Sequence, residues 1–339
     1  MPSNQTSGPI APVESRRSYV VVDFGGTQIR TAIVDVAGQF LTRRTIATPR
    51  TGGPDAVIAA ILDQIQESIA EHPTRVVAVG VSALGPVDPH TGIILNAPTL
   101  PAFENVPLGP SLQQALRLDV HIYNDANAAA IAEWRLGAGR GTRDFCYVTV
   151  STGIGCGIIS NGQLITGGAG YAGEFGRTRL PLAGGGSAQL EQLSSGTAIA
   201  TQARALVASG QPTILADVAP QDLTAGAVAA AARGGDEAAL DLLTSAATAL
   251  GVQLANLTRL VDPEVIALGG GVTQAGNVFW EPLTTSMQDS LAQDSIPAPK
   301  LLEAELGGDV GLHGAALALL GRYETSRGHS DGLPPPTTG

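Results

Sequence analysis

The sequence has 339 residues, of which 44% are apolar and 14% charged, so it is long enough for two packed domains and too apolar for a disordered chain. Its net charge of −11 and its lack of a basic stripe argue against nucleic acid as a partner, because phosphate backbones are bound by clustered Lys and Arg. No apolar run has the length of a membrane span and the N-terminus does not resemble a signal peptide, so we expect a cytoplasmic protein that binds no membrane.

The first part of the chain predicts an antiparallel meander followed by alternating helices and strands. The meander is expected at Tyr19–Asp23, Ile29–Asp35 and Gln39–Ala47, with a glycine turn after the first strand. Helical spacing of apolar residues follows from Pro54 to Glu71. The next predicted elements are a continuously apolar strand, a short helix and a further strand, at Arg75–Val81, Ser111–Leu116 and Val120–Tyr123.

The second part predicts another hairpin and then a mostly helical region. A helix opens at Asn124–Asn127 and runs to about Leu136, and the hairpin follows. The later elements are the hairpin strands Asp144–Val150 and Gly155–Ser160, a long helix at Asp236–Leu260, strands at Glu264–Leu268 and Lys300–Glu303, and a closing helix at Gly311–Leu320. Cys146 and Cys156 lie in the two hairpin strands. A disulfide between them is one interpretation, and two buried thiols in a reducing cytosol are the simpler one.

Two segments of the chain resemble each other. Residues 20–27 read VVVDFGGT and residues 147–154 read YVTVSTGI, and each is a strand, a small glycine turn and the start of a second strand. If each opens one half of the chain, the two turns would face a shared cleft, and clefts between domains are preferred ligand sites. A chance likeness between two short hairpins is the alternative.

The first of these turns has the composition of a phosphate-binding loop. Gly25 and Gly26 let backbone N–H groups approach a phosphate, and Thr27 adds a hydroxyl donor. Asp23, at the strand end, would hold Mg²⁺ directly or through water. An ordinary hairpin turn is the simpler interpretation, and the segment is neither a P-loop nor a dinucleotide motif.

Two further glycine segments favour a nucleotide ligand. Ser151, Thr152 and Gly153 repeat the chemistry of the first turn, and two such turns would grip a polyphosphate from both sides. Gly269–Gly271 ends a strand and precedes a helix, an arrangement that lets an adenosine pack against backbone. A simple strand-to-helix turn is the alternative for this second segment.

Three acidic residues are candidates for chemistry on a substrate with hydroxyl groups. Asp125 follows a strand and begins a helix, where it would orient and deprotonate an attacking hydroxyl, although Asn and Asp are also the preferred helix caps. Glu174, after a glycine-rich stretch, would accept hydrogen bonds from two sugar hydroxyls. Glu191 has the same two interpretations as Glu174, a sugar ligand or a solvated acid.

These segments together resemble the ROK family, the bacterial sugar kinases and sugar-responsive repressors of the actin/hexokinase superfamily. Six matching segments occur in family order: Asp23–Thr27, Asn124–Ala128, Ser151–Gly155, Gly173–Gly176, Ser195–Ala198 and Leu268–Gly271. The resemblance implies an α/β, two-lobed actin-like ATPase (ribonuclease H-like) fold with duplicated sheet-and-helix halves and an interlobe cleft. We accordingly expect a flexible leader at residues 1–17, a smaller lobe at 18–123 closed by a helix at 308–322, a larger lobe at 124–307, and a disordered tail at 323–339.

The resemblance also implies roles for individual residues. Asp125 would be the catalytic base, with Asn124, Glu174 and Glu191 on the sugar. The residues implied to surround phosphates and metal are Asp23, Gly25, Gly26, Thr27, Ser151, Thr152 and Gly153. Gly270 and Gly271 would face adenosine. ATP and Mg²⁺ are the implied cofactors, and a homodimer is the implied assembly.

The sequence departs from the family pattern on the sugar side. Arg177 stands where the family usually has a His that touches the sugar and a structural zinc, and residues 180–190 contain no Cys where the family has a CxCGxxGC cluster. We therefore predict no zinc site, since zinc needs several Cys or His ligands. Thr99 stands where the family has a sugar-side Asn. Both Arg177 and Thr99 are kept as sugar-binding candidates, Arg177 either through a salt bridge that orders its loop or through an anionic sugar substituent.

The predicted activity is phosphorylation of a hexose at O6 by ATP. Glucose is the leading substrate; N-acetylmannosamine, mannose and other hexoses remain alternatives, as does polyphosphate for ATP. A sugar-responsive regulator without kinase activity is an alternative of a different class. Such members carry a helix-turn-helix segment before the first turn, and the 18 residues before Tyr19 are too few for one. A non-sugar ATPase of the superfamily is the third alternative, against which Glu174 and Asp125 argue.

Overall fold

The computed structural model describes residues 17–72, 75–97, 99–100, 102–182 and 184–325. These residues form two compact units. The first unit contains the described residues up to Ala128 together with those from Gly311 onward, and the second contains Ala129–Val310. The leader expected at 1–17, apart from Arg17, and the tail expected at 323–339, beyond residue 325, lie outside the described residues.

The elements alternate between strands and helices along both units. In chain order the strands are β1 (Arg17–Phe24), β2 (Gln28–Asp35), β3 (Phe40–Ala47), β4 (Arg75–Ala83), β5 (Ile94–Asn96), β6 (Glu104–Val106), β7 (Asp119–Asn124), β8 (Phe145–Val150), β9 (Ile154–Ser160), β10 (Gln163–Leu164), β11 (Arg179–Pro181), β12 (Ser187–Gln189), β13 (Val265–Gly269) and β14 (Lys300–Glu303). The α-helices are α1 (Gly53–Glu71), α2 (Leu108–Leu116), α3 (Asp125–Leu136), α4 (Leu190–Ser194), α5 (Gly196–Ala208), α6 (Ala225–Arg233), α7 (Glu237–Val261), α8 (Asn277–Ala292) and α9 (Val310–Thr325). Every strand and helix predicted from the sequence is present. Helix α2 begins earlier than predicted, at Leu108, because Pro110 lies in its first turn, where proline is tolerated.

The first unit is built on a five-stranded sheet with the order β3-β2-β1-β4-β7. Strands β1, β2 and β3 are antiparallel neighbours, as the predicted meander requires, whereas β4 and β7 run parallel to β1. Val57 and Ile61 of α1 are buried in the same apolar cluster as Val79 and Val81 of β4. A second cluster joins Leu312 of α9 to the sheet. The continuously apolar sequence of β4 follows from this burial.

The second unit repeats this arrangement with the order β10-β9-β8-β13-β14. Strands β8 and β9 form the predicted antiparallel hairpin, and β13 and β14 run parallel to β8. Its main apolar cluster contains Cys146, Cys156 and the buried face of α7. Both cysteines are buried free thiols in the structure. A hydrogen bond with Cys146 and burial raise the pKa of the Cys156 thiol.

Helix α7 has the length and apolar composition that a membrane span would need, and it is alone in this among the helices of the described chain. It lies, however, within the second unit, where Leu243, Leu250 and Leu254 are fully buried. Helix α8 and helix α6 pack against it. The apolar residues of α7 therefore serve the core of this unit.

Candidate active site

The first glycine turn is the tip of the β1–β2 hairpin and is held from one side. The N–H of Gly25 donates to the carbonyl of Gln28 at 3.0 Å. Thr48, just after β3, donates its hydroxyl to the carbonyl of Gly25 at 2.7 Å and its N–H to that of Thr27 at 2.9 Å. The side chain of Thr27 is exposed. The tip is thus fixed in shape with its predicted hydroxyl donor open to solvent.

Asp23 is the next-to-last residue of β1 and pairs with a residue that the sequence reasoning did not single out. Arg30 lies opposite Asp23 in the hairpin register, and its Nη1 is 2.9 Å from Asp23 Oδ2. A Cβ added to Gly311 would overlap the Asp23 carboxylate, so this carboxylate packs on the first turn of α9. The length of the turn, which sets residue 30 opposite residue 23, is the signal that would have found Arg30.

The metal role expected for Asp23 can be tested against its surroundings. In the described part of the chain, no group of three or more His, Cys, Asp and Glu side chains is arranged to hold a metal ion. Mg²⁺ takes one or two carboxylates together with waters and substrate phosphates. Asp23, with Arg30 on one oxygen, fits an indirect contact through water and does not form a protein-built metal cage.

Thr99 lies beside the first turn. Its hydroxyl oxygen is 3.5 Å from the position that a Cβ on Gly26 would take, and its side chain is exposed. The flanking residues Pro98 and Pro101 lie outside the described residues. The residue predicted to face the sugar therefore adjoins the predicted phosphate turn.

The sequence predicts two roles for Asp125, helix cap and catalytic base, and in the structure the capping role belongs to Asn124. Asn124 ends β7, and its Oδ1 accepts the N–H of Asn127 at 3.0 Å, so Asn124 caps α3. Its Nδ2 donates to the carbonyl of Gly85 at 2.9 Å and to Asp125 Oδ1 at 3.2 Å. The same Asp125 oxygen accepts the N–H of Ala126 at 2.8 Å. Asp125 is exposed, with its carboxylate oriented by its neighbours.

The strand register brings these residues of the first unit together at the carboxyl-terminal ends of β1, β4 and β7. Phe24 of β1 lies opposite Ala83 of β4, and Ala83 lies opposite Asn124 of β7. The chain leaves the sheet at this edge into the Gly25–Thr27 turn and into α3. Asp125 and the first turn therefore lie along the same edge.

The second glycine turn connects β8 to β9 and adopts a comparable closed shape. The N–H of Ser151 donates to the carbonyl of Gly153 at 2.9 Å, and the N–H of Gly196 donates to the carbonyl of Ser151 at 2.7 Å. A Cβ on Gly196 would lie 2.8 Å from that carbonyl oxygen, so only glycine fits there. Ser151 and Thr152 are exposed, which leaves both hydroxyls available to a ligand.

Gly270 and Gly271 follow β13 at the same edge as the second turn. Gly269 pairs with Thr149 of β8, one residue before the end of that strand. Gly270 has φ 98°, and a Cβ on it would overlap the carbonyl of Val150. Gly271 is exposed and a Cβ on it would meet nothing. The backbone of Gly270 thus packs on the strand before the second turn, and Gly271 faces open space.

Glu174 and Glu191 lie close to each other in the second unit. Burial is the largest influence on Glu174 and raises the pKa of its carboxyl, which the Glu191 charge raises further and Arg177 lowers. Glu191 Oε2 is 3.1 Å from the position that a Cβ on Gly153 would take. Gly176 packs directly on the carbonyl of Ile154 at the start of β9. The two acids are therefore held beside the second glycine turn.

The chain is similar to known proteins over most of its length. The sequence profile of the ROK family matches residues 19–321. This chain belongs to the ROK family. Over 307 residues it is 34% identical to the glucokinase of Streptomyces coelicolor. The aligned region covers 87% of this chain and 95% of that protein. It is 31% identical over 310 residues to the N-acetylmannosamine kinase of Escherichia coli O7:K1, covering 89% of this chain and 98% of that one.

A solved structure supports the fold class. The ROK family glucokinase of Streptomyces griseus, in complex with glucose and AMPPNP, superposes with a TM-score of 0.74 at 35% identity and covers 88% of this chain and 98% of that chain. The predicted α/β, actin-like ATPase fold is confirmed. Together with the family match, this similarity shows that the chain is a sugar kinase, that is, a phosphotransferase with an alcohol group as acceptor.

The segments that depart from the ROK pattern form specific contacts in the structure. Residues 180–190, where the family is expected to have its cysteine cluster, overlap the short hairpin β11–β12. Arg179 holds this hairpin, with Nε donating to Ser187 Oγ at 2.8 Å and Nη2 to the Ser187 carbonyl at 2.9 Å. Arg177, in place of the family His, forms an ion pair with Glu174 at 2.7 Å. Ala183, in the hairpin connection, lies outside the described residues.

Proposed function

We propose that this ROK kinase transfers the γ-phosphate of ATP to O6 of glucose and so produces glucose 6-phosphate and ADP. The glucokinase relatives support the substrate, and the bound glucose and AMPPNP of the Streptomyces griseus enzyme support the pair of ligands. The single observation on which the proposal depends is Asp125. It is an exposed, oriented carboxylate at the sheet edge that also carries the first glycine turn.

Asp125 is assigned the role of general base. Its carboxylate accepts the proton of the sugar O6 hydroxyl as O6 bonds to the γ-phosphorus and the bond from that phosphorus to the bridging oxygen of ADP breaks. A loose phosphoryl transfer needs positioning more than strong basicity, so an ordinary carboxylate suffices. Asn124 donates to Asp125 Oδ1 and so helps to orient the carboxylate.

The phosphates are assigned to the two glycine turns. Backbone N–H groups at Gly26 and Gly153, with the hydroxyls of Thr27, Ser151 and Thr152, would donate to phosphate oxygens. The N–H of Gly25 is already bonded to the Gln28 carbonyl, so Gly25 would contribute through the shape of the turn. Mg²⁺ bound with the nucleotide would neutralise phosphate charge, and Asp23 would reach it through water. Gly270 and Gly271 would face adenosine, since the open space beside Gly271 leaves the backbone accessible.

The sugar is assigned to Glu174 and Glu191, with contributions from Asn124, Arg177 and Thr99. Carboxylates accept hydrogen bonds at both oxygens, which suits neighbouring hydroxyls of a hexose. The ion pair of Arg177 with Glu174 favours a neutral hexose over a sugar acid, because the charge of Arg177 is already balanced within the protein.

N-acetylmannosamine is the second candidate substrate, favoured by the similarity to the Escherichia coli O7:K1 N-acetylmannosamine kinase. The reaction would be the same, with the acetamido group as an added contact. We also keep a homodimer and a cytoplasmic location as parts of the proposal, supported by the ROK resemblance.

A coupled assay of ADP release across a sugar panel tests this proposal. Purified protein with ATP and Mg²⁺ is offered glucose, mannose, N-acetylmannosamine and N-acetylglucosamine separately. In a second series polyphosphate replaces ATP and the sugar phosphate is measured directly, because polyphosphate releases no ADP. The proposal predicts ADP release that depends on sugar and is fastest with glucose. ATP hydrolysis at the same rate with and without every sugar would contradict it.

A further inference from the structure

Thr48 belongs to none of the sequence motifs, yet it holds the first glycine turn. It follows β3 and is 3% exposed. Its hydroxyl donates to the carbonyl of Gly25 at 2.7 Å, and its N–H donates to the carbonyl of Thr27 at 2.9 Å. One buried residue therefore binds a carbonyl on each side of Gly26.

The tip of the β1–β2 hairpin needs hydrogen bonds from outside the loop to fix its shape. The paired residues Gly25 and Gln28 enclose a two-residue loop, Gly26–Thr27. Two-residue hairpin loops that match the twist of their strands need positive φ, and neither Gly26 nor Thr27 has it. The local preferences of the chain thus do not fix the tip by themselves, and bonds from outside the loop contribute to its shape.

We propose that Thr48 is a positioning residue that aims the phosphate-binding amides of the first turn. In a trans peptide the C=O and the N–H point in opposite directions. With the carbonyl of Gly25 bound to the Thr48 hydroxyl, the N–H of Gly26 points away from Thr48. The bond to the Thr27 carbonyl fixes the following peptide in the same way. Thr48 acts through these amides and touches no substrate atom itself, and the inference rests on the proposed nucleotide role of the turn.

The test compares three variants at two threonines, Thr42 in β3 and Thr48 just after it. Thr48→Val removes the hydroxyl and keeps the branched shape, whereas Thr48→Ser keeps the hydroxyl. Thr42→Val is the matched control, because Thr42 Oγ1 accepts the N–H of Ile33 at 3.1 Å, a β2–β3 bond of similar kind that lies away from the turn. For each protein we would measure the Kd of MgADP by calorimetry, the KM for ATP and for glucose, and the thermal midpoint.

Thr48→Val is expected to raise the Kd of MgADP and the KM for ATP by about fivefold or more, the size of one net hydrogen bond. The KM for glucose should stay at the wild-type value, and Thr48→Ser should restore nucleotide affinity. Thr42→Val should leave nucleotide affinity unchanged. If Thr48→Val does not fold, Thr48→Ala and Thr48→Ser provide the same comparison of a side chain without and with a hydroxyl.

Two results would overturn the inference alone. One is an active wild type whose Thr48→Val variant binds MgADP equally well. The other is a Thr48→Val variant that loses nucleotide and glucose affinity in parallel with its thermal midpoint, which a merely structural brace would produce. A wild type that neither binds MgADP nor releases ADP with any sugar would overturn the proposed function itself, and this inference with it.

Discussion

Arg177 pairs with Glu174, three residues earlier in the chain, with its Nε 2.7 Å from Glu174 Oε2. The guanidinium opposes the burial and the Glu191 charge that both raise the pKa of the Glu174 carboxyl. In this ROK kinase the arginine therefore opposes protonation of a predicted sugar ligand, at a position where relatives are expected to carry a metal-bound histidine. A carboxylate must be ionised to accept hydrogen bonds at both oxygens.

Removing this arginine should change the pH dependence of sugar use. In Arg177→Gln the pKa of Glu174 should rise further, because the opposing positive charge is lost while burial and Glu191 remain. Glu174 is then protonated at higher pH, so the acidic limb of kcat/KM for glucose should move to higher pH. Rates measured between pH 5 and pH 8 at saturating ATP would show this shift.

Arg179→Gln is the control for that shift. Arg179 is two residues away and binds Ser187, not an acid. Its loss should leave the acidic limb where the wild type has it. An Arg177→Gln profile that superimposes on that of Arg179→Gln would show that Glu174 does not depend on Arg177.

Adjacent glycines after β13 should respond very differently to alanine. Gly270→Ala should destabilise the protein by about 1–3 kcal/mol or more, because φ is positive there and the new Cβ would overlap the Val150 carbonyl. Gly271→Ala should keep the wild-type thermal midpoint, since its Cβ meets open space. If Gly271 faces adenosine, its variant should nevertheless bind MgADP more weakly. Thermal midpoints and calorimetry on both variants check these outcomes, and equal midpoints would contradict the packing argument.

Replacing Glu133 should lower the free energy of unfolding, at a position outside the candidate active site. This fully buried carboxylate accepts N–H groups from Ala138, Glu305 and Leu306 at 3.0, 3.1 and 2.8 Å. Glu133→Gln replaces one acceptor with a donor facing these groups, so unfolding free energy should fall by about 1.5–3 kcal/mol.

Chemical unfolding of the second unit, followed by the fluorescence of its two tryptophans, Trp134 and Trp280, measures this change. Glu281→Gln, at an exposed position of α8, is the matched control and should be neutral. Equal unfolding midpoints for the two variants would mean that the Glu133 contacts contribute nothing measurable.

The elements of this fold could be predicted because each carries a local signal. Alternating or continuous apolar residues mark the strands of both hairpins, and the spacing in α1 and α7 marks helices. The individual site residues need more than local pattern. Thr48 and Gly25 are separated by 23 positions, and Glu133 and Leu306 by 173, so their contacts exist only once the sheets have formed.

The Asn124–Asp125 pair illustrates the same limit at short range. Both residue types cap helices, and the sequence does not say which of the two does so. The structure assigns the cap to Asn124 through its bond to Asn127, because Asn124 is the last strand residue and Asp125 already belongs to α3. Asp125, one residue later, is the exposed member of the pair.

The most direct test of the account is the turnover of Asp125→Asn with ATP and glucose. The carboxylate is predicted to supply general-base catalysis, so kcat should fall at least about 100-fold while glucose still binds by calorimetry. Asp119→Asn, at the first residue of β7, the strand that precedes Asp125, and hydrogen-bonded to Tyr323, should keep wild-type turnover. An Asp125→Asn enzyme with full glucose-dependent ADP release would contradict the assignment of Asp125 as the base.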